Sequence, residues 1–120
     1  MNYMIWNSWG TSSRSFSSLV REINKYYKLD FLAILETRSN VTKSKRKIRQ
    51  LGFSKYSFTA AEGYSGGIWC LWEEVGMKVE VMEIHKQYMH FQIDTLRQGR
   101  LFFYCGICKP EPSGQMYAVD

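Results

Sequence analysis

Two polar side chains in this chain stand where chemistry could be placed: Asn7, closing the apolar run Tyr3-Met4-Ile5-Trp6, and Glu36, following Phe31-Leu32-Ala33-Ile34-Leu35. An amide can hydrogen-bond an anion or orient a carboxylate, and a carboxylate can ligate a cation or carry a proton. If both runs are parallel strands, the two groups lie side by side at their carboxyl ends, where open α/β sheets present ligand-binding residues. Such a pair is half an active site.

The elements that would position them follow from the pattern. Gly10 and a Ser/Thr cluster suit a turn and a helix cap. Phe16, Leu19, Val20, Ile23 and Tyr27 then recur at three- and four-residue spacing, with Arg21, Glu22, Asn24, Lys25 and Lys28 opposite, as in an amphipathic helix. The unalternating run at 31–35 reads as a strand covered on both faces. Strand, helix, strand implies a right-handed parallel crossover, which sets Asn7 beside Glu36. Residues 41–51 form a polar surface helix ending at Gly52, with Val41, Ile48 and Leu51 as sparse anchors.

From Phe53 the period becomes that of strands: 56–59, 68–72, 77–84, an alternating Met89, Phe91, Ile93, and a last run from Leu101 to Cys108. Glycines 63, 66, 67 and 76 break these runs. At 120 residues the chain suits one domain, burying about two thirds of the surface its unfolded form exposes. No stretch approaches the ~18 apolar residues of a membrane-spanning helix.

Charge is uneven. Residues 1–49 carry ten Lys/Arg against three acids, whereas 50–120 carry six against eight, which suits an anionic partner such as DNA on the amino-terminal side. Lys43, Lys45, Arg46, Lys47 and Arg49 are the candidate nucleic-acid contacts, with a solvated helix face as the plainer account. Three cysteines, Cys70, Cys105 and Cys108, fit a reducing, intracellular compartment better than a disulfide framework, and the basic cluster allows a nuclear one. Cys105 and Cys108 have the spacing of half a zinc site but no matching second pair, and read as buried thiols. His90 has the outward phase of its strand, and His85 falls at a turn.

Trp6-Asn7, Leu35-Glu36-Thr37 and Gly63-Tyr64-Ser65-Gly66-Gly67-Ile68-Trp69, in this order, resemble the endonuclease/exonuclease/phosphatase superfamily. Leu35-Glu36-Thr37-Arg38 and the run at 65–72 are most similar to endonuclease domains of plant LINE-type retrotransposons. The resemblance spans nearly the whole chain and the amino-terminal half of the family domain. It implies a four-layer α/β sandwich, here one mixed sheet with a βαβ start followed by antiparallel strands. It also implies hydrolysis of a phosphodiester, with Glu36 holding the catalytic Mg²⁺ and Asn7 binding the phosphate or a catalytic carboxylate.

The family also uses an Asp-x-Asn pair and a Ser-Asp-His sequence, neither of which occurs here, and a tyrosine where Cys108 stands. The expectation is a truncated, mobile-element-derived endonuclease-like domain, catalytically inactive alone and binding Mg²⁺ weakly. A non-catalytic, basic nucleic-acid-binding module is the alternative. A halved sandwich would leave Phe91, Ile93, Phe103 and Tyr104 short of cover and promote self-association. The glycine loop, by the same resemblance, marks a sheet connection and takes no part in catalysis.

Overall fold

A computed structural model describes residues 1–106 and 117–119. The chain starts with β1 (Tyr3–Asn7), α1 (Phe16–Tyr27), β2 (Phe31–Leu35) and α2 (Val41–Arg49). It continues through β3 (Lys55–Thr59), β4 (Ile68–Trp72), β5 (Met77–His85), β6 (Tyr88–Thr95), β7 (Gly99–Gly106) and β8 (Tyr117–Val119). β1 and β2 are parallel, with Asn7 paired to Leu35, as the strand-helix-strand pattern predicts.

The strands divide into two sheets. The first is mixed, in the order β1-β2-β4-β3; the second is antiparallel and runs β5-β6-β7-β8. They pack face to face. Phe31, Ala33, Leu35, Ile68, Cys70 and Trp72 of the first meet Met89, Phe91, Ile93, Leu101, Phe103 and Cys105 of the second in one buried cluster. On the other side of the first sheet, Leu32, Ile34, Trp69 and Leu71 pack with Phe16 and Val20 of α1 and with Ile48 and Leu51 at and beyond the end of α2. β2 and β4 are therefore covered on both faces, which is why neither alternates in sequence. The result is a layered α/β sandwich of helices, mixed sheet and antiparallel sheet.

This packing corrects the expected lack of cover. Phe91, Ile93 and Phe103 are fully buried, because the second sheet, formed within this chain, lays its apolar face on the first. Tyr104 faces outward, half-buried, and stacks on Tyr88 at 5.1 Å between ring centroids.

Several local expectations also shift. On α1 the buried residues are Phe16, Ser17 and Val20, while Leu19 and Tyr27 are exposed; the contact stripe is narrower than the apolar pattern. Ser15 caps α1 without a side-chain bond to the helix, its hydroxyl pairing with Ser13 instead. α2 is capped by Asn40, whose Oδ1 accepts from the Lys43 amide, and it ends at Arg49, short of Gly52. His85 is the last residue of β5, paired with Tyr88, so the turn is confined to the two residues between them. The last predicted strand begins two residues early, at Gly99, and its expected end at Cys108 lies outside the described residues.

Candidate functional site

At the carboxyl end of β2 the backbone leaves the strand in an unusual way. Glu36 and Arg38 both take left-handed conformations, with φ of 55° each, and Trp9 does the same at 57° in the segment following β1. For a residue with a side chain this costs on the order of 1–3 kcal/mol, so the surroundings must hold it. They do. The Ser8 amide and hydroxyl donate to the Leu35 carbonyl at 3.0 and 3.1 Å, and the Thr11 amide and hydroxyl donate to the Thr37 carbonyl at 3.1 and 3.0 Å.

From the opposite side, the Thr37 amide donates to the Gly67 carbonyl at 3.2 Å and the Arg38 amide to that of Gly66 at 2.9 Å. At about 1 kcal/mol net per hydrogen bond, this network is of the right size to offset two strained residues. The arrangement presents the Glu36 side chain, 18% exposed, at the strand end, with the Arg38 guanidinium 3.9 Å away. Arg38 in turn lies over the Trp9 ring, 5.5 Å from its centroid.

Glu36 lines a cleft of about 210 Å³ together with Ala60, Glu62, Ser65, Gly66, Gly67, Ile68, Lys86 and Gln87. The glycine loop, which connects β3 to β4, is thus also a wall of the cleft. The reason is steric. Gly67 at φ 94° passes so close to Thr37 that a Cβ there would overlap the Thr37 hydroxyl, so only glycine lets the loop approach the Glu36 segment.

Of the residues expected at the site, Glu36 lines the cleft, whereas Asn7 is exposed at the end of β1, with its register partner Leu35 immediately preceding Glu36, and is not among the cleft-lining residues. The basic residues of α2 stand apart from the cleft. Lys43, Lys45, Arg46 and Arg49 are exposed, whereas Lys47 donates to the Ser13 carbonyl at 3.0 Å and covers the Phe16 ring at 5.8 Å. Partial burial, and then the neighbouring Arg46 charge, hold the Lys47 pKa below the usual lysine range.

Sequence reasoning missed Glu62, Lys86 and Gln87, which reach the cleft from turns. Lys86 Nζ is 3.5 Å from Glu62 Oε2. A charged residue within a short hairpin turn was their only local signal. Cys105, considered with Cys108, instead meets Cys70, with Sγ atoms 3.3 Å apart inside the sandwich; Cys108 lies outside the described residues.

The fit of a divalent cation rests on the donors present. Among the described residues, no group of three or more His, Cys, Asp or Glu is gathered. Glu36 and Glu62 both line the cleft. That donor set suits a hard, largely hydrated ion completed by a phosphate, as Mg²⁺ is often bound, and does not make a closed protein cage. Among the described residues no helix is long and apolar enough to cross a membrane.

The described chain shares its fold with part of one solved structure. A solved structure that it resembles is AP endonuclease LMAP from Leishmania major, at a TM-score of 0.61 and 15% sequence identity, over 77% of this chain and 35% of that one. The chain thus spans about a third of that protein's length, and at this identity the likeness concerns the fold. No family model matches the sequence, and no curated protein does.

Proposed function

We propose that the cleft at the end of β2 is a phosphodiester-binding site of the endonuclease/exonuclease/phosphatase kind, with nucleic acid as the substrate class. The observation that carries this reading is Glu36, held in a left-handed conformation one residue beyond the register partner of Asn7 and lining a cleft walled by Gly66 and Gly67. Strained polar residues fixed by their surroundings concentrate at working sites. The sequence resemblance to plant LINE-type endonuclease domains supports the finer assignment.

In that reading Glu36 would hold Mg²⁺, which supplies charge neutralisation at the phosphate. Asn7 would orient the phosphate from the adjacent strand, and Arg38 would restrain the Glu36 carboxylate between uses. These 120 residues do not contain the Asp-x-Asn and Ser-Asp-His groups that such chemistry uses to position water and polarise the phosphate. Losing one preorganised donor costs on the order of 10²–10³ in rate, so this set of residues alone is read as binding without cutting.

The test is supercoiled plasmid incubated with purified protein and Mg²⁺, alongside Glu36→Ala. No nicking by either protein, with duplex binding by the wild type, is the expected result. Nicking that disappears in Glu36→Ala would show that the residues present suffice for catalysis. A second reading, a basic nucleic-acid-binding module with no use for the cleft, is favoured by one observation: Lys43, Lys45, Arg46 and Arg49 of α2 are all exposed. Self-association, if it occurs, would use the outward face of the second sheet, where Met82 is exposed and Phe102 half-buried.

A further inference from the structure

The β5-β6 hairpin reaches the Glu36 cleft with a single cation at its tip. Lys86 and Gln87 are the two residues between the paired His85 and Tyr88, and both line the cleft. The tip is braced. The Gln87 amide donates to His85 Nδ1 at 3.1 Å, the His85 ring stacks on Tyr88 at 4.7 Å, and the Tyr88 hydroxyl donates to Glu83 at 2.7 Å. Across the cleft, Glu62 is fixed at its backbone by reciprocal bonds with Ser65, at 2.9 and 3.2 Å.

We propose that Lys86 is a phosphate-positioning residue of this cleft, and that Glu62 is its exchangeable partner, occupying the ammonium group until a nucleic-acid phosphate replaces it. This rests on the phosphodiester-site reading and adds a residue to it. The Lys86 and Glu62 side chains are 59% and 71% exposed, so their ion pair is solvent-screened and easily broken. A phosphate entering between Glu36 and the hairpin meets two carboxylates and needs a cation that is not already bound to Glu36. Arg38 pairs with Glu36 from outside the cleft lining, and among the described residues Lys86 is the cationic side chain that lines the cleft. The exchange leaves Glu62 facing water, where its charge remains solvated.

The experiment compares binding of a fluorescein-labelled DNA duplex by wild type, Lys86→Gln, Glu62→Gln and, as a control for charge loss away from the cleft, Arg100→Gln. Arg100 pairs with Asp94 at 2.8 Å on the outward face of the second sheet. Lys86→Gln should weaken binding about 3- to 10-fold at low salt and reduce the slope of log affinity against log salt by about 1, as for one lost phosphate contact. Glu62→Gln should tighten binding by about 2- to 5-fold, because the phosphate no longer displaces a carboxylate. Arg100→Gln should leave the slope unchanged.

An unchanged slope in Lys86→Gln, with normal duplex binding by the wild type, overturns the Lys86 assignment and leaves the site reading intact. Titration with inorganic phosphate, followed by the backbone amide resonances of Gly66, Gly67 and Lys86, separates the remaining cases. Perturbation there without duplex binding supports an anion site at Lys86 and overturns nucleic acid as its ligand. Neither perturbation nor duplex binding overturns both.

Discussion

Gly67 lies against Thr37 at a separation that admits no Cβ, and the Thr37 hydroxyl it approaches is buried with no hydrogen-bond partner among the described residues. The closeness of the glycine loop is thus achieved over an unsatisfied polar atom. Gly67→Ala should destabilise the chain by about 1–3 kcal/mol through overpacking and an unfavourable φ. Thr37→Val removes the orphaned hydroxyl and should be neutral or stabilising by up to about 1 kcal/mol. Urea unfolding of the two variants checks both signs.

A second link ties the basic helix to the mixed sheet. Trp69 Nε1 donates to the Ser44 hydroxyl at 3.0 Å, and both residues are fully buried. Ser44→Ala leaves the indole N–H without its partner in a dry site, and should cost about 1–3 kcal/mol. Ser44→Thr keeps the hydroxyl and separates this effect from helix propensity. Denaturant midpoints of the two variants give the comparison.

The thiol pair between the sheets gives a pH dependence. Burial first, then the hydrogen bond to Cys105, raise the Cys70 pKa well above the ordinary thiol range. As pH rises past about 8.5, the unfolded chain ionises this thiol while the folded chain cannot, so stability falls with increasing pH. Below that range the contribution is fully present. Cys70→Ala should lower stability at neutral pH and flatten the alkaline part of the profile, which thermal unfolding between pH 7 and pH 10 would measure.

The α2 cations separate into two roles. If α2 is a phosphate-binding face, replacing Lys43, Lys45, Arg46 and Arg49 together by Gln should lower the salt slope of duplex binding by about 3 to 4. Lys47→Gln should leave that slope unchanged and destabilise by a few tenths of a kcal/mol, because Lys47 is spent on the Ser13 carbonyl. Salt titrations of binding and urea unfolding distinguish the two. A slope unaffected by the fourfold change would return these residues to the status of a solvated face.

The βαβ start was legible because periodicity and strand-end residues are local signals. The bounds of β1, β2 and β4 follow from apolar runs, and a parallel pair fixes where Asn7 and Glu36 end up. The partner of each apolar face was not legible. Met89, Phe91 and Ile93 announce a buried face, but alternation does not say what buries it, and the answer is the inner face of a sheet made earlier in the same chain. The cleft was half legible for the same reason. Glu62 reaches the cleft because β4 pairs with β2 within the mixed sheet, and Lys86 because the second sheet stacks on the first, both of which are long-range pairings. The left-handed backbone at Glu36 and Arg38 leaves no mark in residue type, since neither is glycine.

The sheet order also gives the two halves of the site unequal footing. β1 is an edge strand with β2 as its neighbour, whereas β2 is bonded on both sides, by β1 and β4. A strand bonded on one side has fewer hydrogen bonds to hold it, so Asn7 stands on a less restrained part of the sheet than Glu36. The carboxylate is then the more firmly held of the two groups. A ligand that needs both would lock the amino-terminal strand onto the sheet, so that occupancy of the site and closure of the fold's first strand become one equilibrium.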